Sequence, residues 1–459
     1  MLSLSAQAAL HQYTTLAPAL SRCPRCGALS PRNEIRRRSF WVPDLERPRI
    51  WHFDTGCYLC PHCPEGSRWF RLMPAGFDGD GQYTERTRNM VVDLVRIDKM
   101  SLEGAAGLAH RLLHLPMLHP STILGWVREA GDSVDFAGWQ AVALEAFSGQ
   151  IALDEVYDGE WCQLKATDPV NGMELDWYLH EGSPDKDVIV AFLERLKAAG
   201  FMPLLVVTDG SSLYPDALRQ VWPEADHQRC VFHFIKQENE LLGKAFWDLY
   251  REVPRPPPRR RGRPKKRGRP RKDAEKRQNL RTVRNARFLV LTREGTSSKG
   301  EPLMTPQQQA ALQDAIAILP RLGLLRRFVN ALHDLFSSAT TTTEQAQAKR
   351  RAILDDTQFV TAAFLDAAMK LLADDNLFHR LTRYLDFDCA EKTSNHVERE
   401  NREFRKRQKS HYRLRSLASL CSLLDLLTTR RPITGAPRRI SRKKPPGVVE
   451  HGKEVKRAA

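Results

Sequence analysis

Between residues 149 and 252 the spacing of apolar positions changes period several times. Gly149-Gln-Ile-Ala-Leu-Asp154-Glu-Val-Tyr reads as a strand, and Trp161-Cys-Gln-Leu-Lys-Ala-Thr-Asp alternates as a half-buried strand does. Asn171-Gly172 then marks a turn, and 173–180 returns as a third strand. From 185 to 199 the period becomes helical, with Val188, Ile189, Phe192, Leu193 and Leu196 on one side. The apolar run Pro203-Leu-Leu-Val-Val-Thr-Asp209 predicts a short buried strand. A helix through Val221, a short strand near 225–230 and a long helix from Val231 follow. Three strands, a helix, a strand, a helix and a strand make a mixed sheet flanked by helices.

The flanks are helical. Thr84 can cap a first helix through Ile97, Ser101 caps a small-residue second one, and Pro120-Ser121-Thr122-Ile-Leu-Gly-Trp126-Val-Arg128 opens a third. Short helices with Ala and Gly at their crossing suit a helix-turn-helix unit, which would turn Ser121, Thr122 and Arg128 toward DNA and Ile123, Trp126 and Val127 inward. Any small three-helix bundle gives the same pattern. Residues 305–385 alternate Ala/Leu-rich helical segments with polar turns. At 394–409 a helix would align Asn395, Glu398, Arg402 and Arg405 in one polar stripe, either a solvated face or an acid set beside phosphate-binding arginines.

Composition narrows the classes. The chain has 459 residues, enough for two to four domains, and 42% hydrophobic content. No apolar run approaches the roughly 20 residues of a membrane span, so a membrane protein is not expected. The N-terminus lacks the basic and apolar regions of a secretory signal. Formal net charge is +16, and eleven basic residues with no acidic one lie between Pro254 and Lys272. Another ten basic residues against two acidic ones follow from Arg430. Charge concentrated in this way points to a polyanion, here nucleic acid. Within the first run Arg261-Gly-Arg263-Pro and Arg267-Gly-Arg269-Pro repeat a tetrad that resembles the AT-hook core. Its flat arginines would lie along the narrow minor groove of A·T tracts. A plain basic linker is the alternative.

Five of nine cysteines lie between Cys23 and Cys63. Paired Cys-x-x-Cys spacing in a chain without a signal peptide favours metal over disulfides. Cys23, Cys26, Cys60 and Cys63 are the expected Zn²⁺ ligands, because Cys-Pro-His-Cys repeats the form of Cys-Pro-Arg-Cys, although Cys57/Cys60 has the same spacing. Between the knuckles Arg36, Arg37, Arg38, Phe40, Trp41 and Trp51 suit either DNA contact or a small aromatic core.

Three acids stand out. Asp209 ends a buried strand, where it would serve a cation or cap the next helix. Asp154 sits on another strand, and Glu398 on the late helix. Two divalent ions about 3.5–4 Å apart need shared carboxylates of this kind. Glu155, Asp158 and Glu400 are competing candidates.

The order of elements is that of ribonuclease H. Together with Leu153-Asp154-Glu155, Thr208-Asp209-Gly210, Trp222-Pro223, Cys230-Val-Phe-His233 and Asn395-x-x-Glu398, it resembles the DDE transposases of insertion sequences. The Cys-x-x-His after the second Asp is similar to the Mutator-type group, whereas a zinc ribbon before a helix-turn-helix is closer to other bacterial groups. The resemblance implies a multidomain α+β protein. Its parts would be a zinc ribbon at 1–80, a helix-turn-helix at 81–135, a ribonuclease H-like mixed-sheet core at 145–251, a basic AT-hook-like linker at 252–285 and an α-helical insertion at 286–388. The core would end at 389–428 with the catalytic Glu, followed by a basic tail at 429–459.

The resemblance further implies DNA strand cleavage and strand transfer at insertion-sequence ends. Asp154, Asp209 and Glu398 would hold two Mg²⁺ (or Mn²⁺) ions, with Cys230, His233 and Asn395 as structural neighbours. Arg402 and Arg405 would grip the scissile strand. Double-stranded DNA, both transposon ends and target, is the expected partner, handled by a homodimer or larger assembly in the bacterial cytoplasm at the nucleoid. The rival readings are a catalytically inactive DNA-binding regulator derived from a transposase, and a zinc-ribbon transcription regulator whose centre only dimerises.

Overall fold

The structure is a computed structural model that describes residues 9–77, 81–256, 273–296, 300–410, 414–429 and 436–443. It divides into two compact units, Met1–Ala141 with Glu400–Thr434, and Val142–Arg399 with Gly435–Ala459.

The first unit opens with strands β1 (Leu10–Leu16), β2 (Leu20–Arg22), β3 (Leu29–Val42), β4 (Arg49–Leu59) and β5 (Trp69–Arg71). They form one sheet in which β4 lies between β1, parallel to it, and β3, antiparallel to it. This is larger than the small hairpin the cysteine spacing suggests. The aromatic residues settle the choice left open by the sequence: Phe40 is fully buried, its ring 5.4 Å from Phe77, and Trp51 stacks on Phe77 at 5.0 Å. They are core, with Arg37 paired to Asp54 at 2.8 Å.

Helices α1 (Glu85–Arg96), α2 (Leu102–Leu112) and α3 (Pro120–Asp132) follow. Thr84 and Ser101 cap the first two as the sequence predicts, accepting from the N–H of Thr87 and Gly104. Val91, Val95, Ala105, Ala109, Ile123, Trp126 and Val127 are the buried side chains between them. Helix α4 (Phe136–Glu145) runs into the second unit.

That unit is built on β6 (Gln150–Asp158), β7 (Trp161–Asp168), β8 (Met173–Glu181), β9 (Leu205–Thr208) and β10 (Asp226–Arg229), with α5 (Lys186–Ala198), α6 (Tyr214–Val221) and α7 (Val231–Glu252) between and after them. The sheet order is β10-β9-β6-β7-β8. The first three strands form an antiparallel meander, and β9 and β10 add parallel to β6. Asp185 caps α5, whose Ile189, Phe192, Leu193 and Leu196 are buried as the helical period requires.

An all-helical insertion follows: α8 (Ala274–Asn285), α9 (Arg287–Leu291), α10 (Pro306–Ile318), α11 (Arg321–Leu335), α12 (Thr343–Leu354), α13 (Thr357–Val360), α14 (Asp366–Leu372) and α15 (Asp375–Thr382). Its core is shared with α7, where Phe234, Leu242, Phe246 and Leu249 join Phe328, Leu332, Leu365 and Phe378.

Strand β11 (Phe387–Asp388) leads to α16 (Asn395–Ser410) and α17 (Leu417–Thr428), and β12 (Ser441–Arg442) returns to pair with β11. The last segment thus divides between the units. Helix α17 packs on α3 in the first unit so closely that a Cβ on Gly131 would overlap the Ser422 backbone. Residues 436–443, read from composition as part of a basic tail, are fastened to the second unit. Ile440 is buried and donates its N–H to Ser148, and Arg442 pairs with Asp226 at 2.6 Å.

Among the described residues no helix is long and apolar enough to cross a membrane.

Candidate active site and metal centre

The sheet register brings the two aspartates together. Ile151 lies beside Val206 and Ala152 beside Val207 in the parallel pair β6–β9. Two residues beyond the last of these pairs stand Asp154, still within β6, and Asp209, the first residue after β9. They share a sheet face with Ala152 and Val207, since side chains alternate with period two.

Helix α16 is seated on that face. Val397 is buried against Ala152, Val207 and Cys230, and Glu398 is the next residue. Two further contacts hold the approach to the helix. The Gln150 amide exchanges hydrogen bonds with the Glu391 backbone at 2.6 and 2.9 Å, and Val231 N–H donates to Lys392 C=O at 3.1 Å. The start of the Glu398 helix is thus fixed by the chain segment before it as well as by the packing of Val397.

Cys230 and His233 link the sheet to the helix. Cys230 N–H donates to Thr208 C=O at 2.8 Å, at the strand end that leads into Asp209. The Cys230 sulfur accepts from Ser394 N–H at 3.3 Å and Ser394 Oγ at 3.2 Å. Burial raises the Cys230 pKa, but hydrogen bonds from His233 and Ser394 outweigh it, and the net shift is downward. The hydrogen bond to Cys230, opposed by burial, raises the His233 pKa, with the charges of Cys230, Glu398 and Asp154 adding to it. His233 Nε2 lies 3.4 Å from Glu398 Oε1.

The competing acids are placed differently. Glu155 points to the opposite sheet face, where Tyr157 donates to it at 3.1 Å. Burial raises its pKa and the charge of Asp209 adds to this, against hydrogen bonds from Tyr214 and Tyr157. Glu400 is buried and counted with the first unit. Asp158 lies at the far end of β6, paired with Trp161. The carboxylate of Asp209 accepts from Ser211 N–H at 2.8 Å, while the cap position of α6 belongs to Leu213, so Asp209 makes a local turn and not the helix cap.

Two side chains escaped the sequence reading. Arg229 stands next to Asp209, near enough that a Cβ on Gly210 would lie 2.6 Å from its Nη2. Burial pulls the Arg229 guanidinium pKa down, and Arg380 does the same, while Asp209 opposes both. Lys165, buried in mid-sheet, pairs with Glu174 at 2.9 Å. Gly210 is the signal for Arg229, because a bulky side chain there would block it. Lys165 gives none, because a lysine in an alternating strand reads as solvent-facing.

The remaining candidates fall on accessible surface. Ser121, Thr122 and Arg128 are exposed on α3, with Ser121 also bonded to His119 at the helix start. Asn395, Arg402 and Arg405 are exposed on α16. Arg261, Arg263, Arg267 and Arg269 lie outside the described residues.

The four cysteines converge. Cys23, Cys26, Cys60 and Cys63 have all their sulfurs within 4.8 Å of one another and, among the described residues, are the one group of three or more His, Cys, Asp or Glu ligands that close. The acids of the sheet are set less tightly than that. Sulfur separations of 3.4 Å for Cys26–Cys60, 3.7 Å for Cys26–Cys63 and 3.8 Å for Cys23–Cys63 match the edge of about 3.8 Å expected of thiolates 2.3 Å from a tetrahedral ion. Burial raises Cys60, but N–H groups of His62 and Cys63 with the thiols of Cys26 and Cys63 outweigh it and lower its pKa to about 6. The donor set fits zinc. Cys57 is buried in β4, outside the cluster.

The stretch holding Asp209, Cys230 and His233 is where the sequence is similar to a known family. Residues 179–255 match the family model described as transposase, Mutator family. Among solved structures, the Drosophila P element transposase strand transfer complex is similar at a TM-score of 0.35 and 11% identity, over 79% of this chain and 94% of that one. No curated protein matches the sequence.

Proposed function

We propose that the chain is a transposase that cleaves DNA at insertion-sequence ends and transfers the freed 3′ strand to a target. The observation that supports this reading is the pairing of Ala152 with Val207, two residues before Asp154 and Asp209, with Val397, next to Glu398, packed against both. The strand order, a three-stranded meander extended by two parallel strands, supports a ribonuclease H-like core.

Asp154, Asp209 and Glu398 offer oxygen donors only, the donor type that hard divalent cations such as Mg²⁺ prefer. Bound there, two such ions would polarise the scissile phosphate and stabilise the attacking and leaving oxygens. His233 holds Glu398 in place, and Arg229 offsets the charge of Asp209. Arg402 and Arg405 offer exposed guanidiniums from the Glu398 helix to a phosphate backbone.

Helices α1 to α3 support a helix-turn-helix reading, with Ser121, Thr122 and Arg128 facing a groove. The four thiols would hold Zn²⁺ and fix the knuckles of the N-terminal sheet. The hook-like tract would add minor-groove contacts to A·T-rich DNA.

The test is cleavage and joining of labelled end DNA in Mg²⁺. Asp209→Asn should abolish both reactions and leave DNA binding intact. Unchanged joining in that variant refutes the site assignment. Binding without reaction by the unaltered protein favours the inactive-regulator reading.

A further inference from the structure

A lysine buried in the middle of a sheet needs an account. The Lys165 side chain is 1% exposed and its partner Glu174 is 7% exposed, with Nζ and Oε2 2.9 Å apart. A buried ion pair stabilises a fold little compared with well-packed apolar residues of the same size, because both charges lose their hydration. Stability alone is therefore a poor reason for placing it there.

Its position supplies a better one. In the antiparallel pair β6–β7, Lys165 is the direct cross-strand partner of Asp154. Directly opposed residues share a face, with Cβ atoms about 4.5–5.5 Å apart. Asp154 and Lys165 therefore stand side by side, on the strand next to the one that leads into Asp209, with Glu174 on β8 fastening the lysine from beyond. On the same strand and face, Gln163 and Thr167 flank Lys165 and are fully buried; among the described residues the Gln163 amide and the Thr167 hydroxyl have no hydrogen-bond partner. This strip of sheet is polar where a structural core would be apolar.

We propose that Lys165 tunes the cation affinity of the Asp154–Asp209–Glu398 site. Its ammonium offsets one of the three negative charges, so divalent ions are held weakly until the phosphate of bound DNA contributes its own charge. Glu174 keeps the ammonium in the sheet and prevents it from swinging onto the acids as a permanent occupant. The inference rests on the acids being a cation site.

The experiment is a DNA-free Mn²⁺ titration of the full-length protein, read by thermal shift, alongside cleavage of end DNA. Lys165→Met should lower the half-saturating Mn²⁺ concentration about tenfold, as the loss of one fixed charge a few ångströms away implies. Because that variant leaves Glu174 buried and unpaired, Lys165→Met/Glu174→Leu is measured with it. The double variant should fold normally and show a smaller shift of the same sign. Lys165→Arg should keep the original value.

An unshifted titration in the folded double variant overturns the inference. If Asp209→Asn meanwhile abolishes the Mn²⁺ response, the cation site itself stands. A protein with no Mn²⁺ response dependent on Asp209 overturns both.

Discussion

His233 sets its Nε2 3.4 Å from the carboxylate of Glu398. The imidazole comes from the first turn of α7 and the acid from α16, so this contact ties the two helices at the candidate site. A partner that orients a metal-binding carboxylate is worth about 10–100-fold in metal affinity or activity. His233→Ala should lower end-DNA cleavage by about that factor, while DNA affinity in filter binding stays unchanged.

The thiol cluster makes a prediction that needs no DNA. Purified protein should carry one zinc ion per chain, released by Cys60→Ser and retained by Cys57→Ser. A metal-sensitive dye after denaturation reads the content. Loss of the ion should also speed amide hydrogen exchange in β2 and at the start of β3, whose hairpin turn holds Cys23 and Cys26.

Gly131 tests the packing of the first unit. A methyl group there collides with the backbone of Ser422, which has no flexible side chain to move aside. Gly131→Ala should cost about 1–3 kcal/mol, seen as a lower denaturation midpoint in urea. Gly125 on the same helix serves as the control, because a Cβ there would meet no atom within 4 Å. Gly125→Ala should be neutral or stabilising.

Glu238 makes stability depend on pH. It is fully buried on α7 and, among the described residues, both carboxylate oxygens are without a hydrogen-bond partner; burial pushes its pKa up to about 8. The folded state then binds a proton more tightly than the unfolded one. The stability linked to that proton is complete below about pH 4.5 and is lost as pH rises toward 8. Glu238→Gln should match the parent near pH 4.5 and melt at higher temperature at pH 8. Thermal unfolding across that range checks it.

The second unit is largely legible in the sequence because its elements obey simple local rules. Asp185 caps a helix whose apolar residues recur at helical spacing, and Asn171-Gly172 turns β7 into β8. The pairing of Cys60 with Cys63 was also readable, because the two knuckles repeat one form. Other features follow from long-range contacts that no local pattern carries. Helix α4 has no single apolar face, with only Ala143 buried, and so left no periodic signal. The seat of α17 on α3 depends on the small size of Gly131, a property that matters only once Ser422 arrives beside it. Residues 436–443 are basic enough to read as a solvated tail, and only Ile440 hints at a buried edge.

That last segment affects how the protein is made. Phe387, Ser148 and Asp226 all await groups from residues 440–442, which are made after every candidate catalytic acid. A nascent chain halted after α17 would hold every candidate catalytic acid yet lack the strand that closes the flank of their sheet. Folding of this unit would therefore be completed only after α17 has been made, and a stop between residues 429 and 440 would yield an unfinished unit instead of a shortened one.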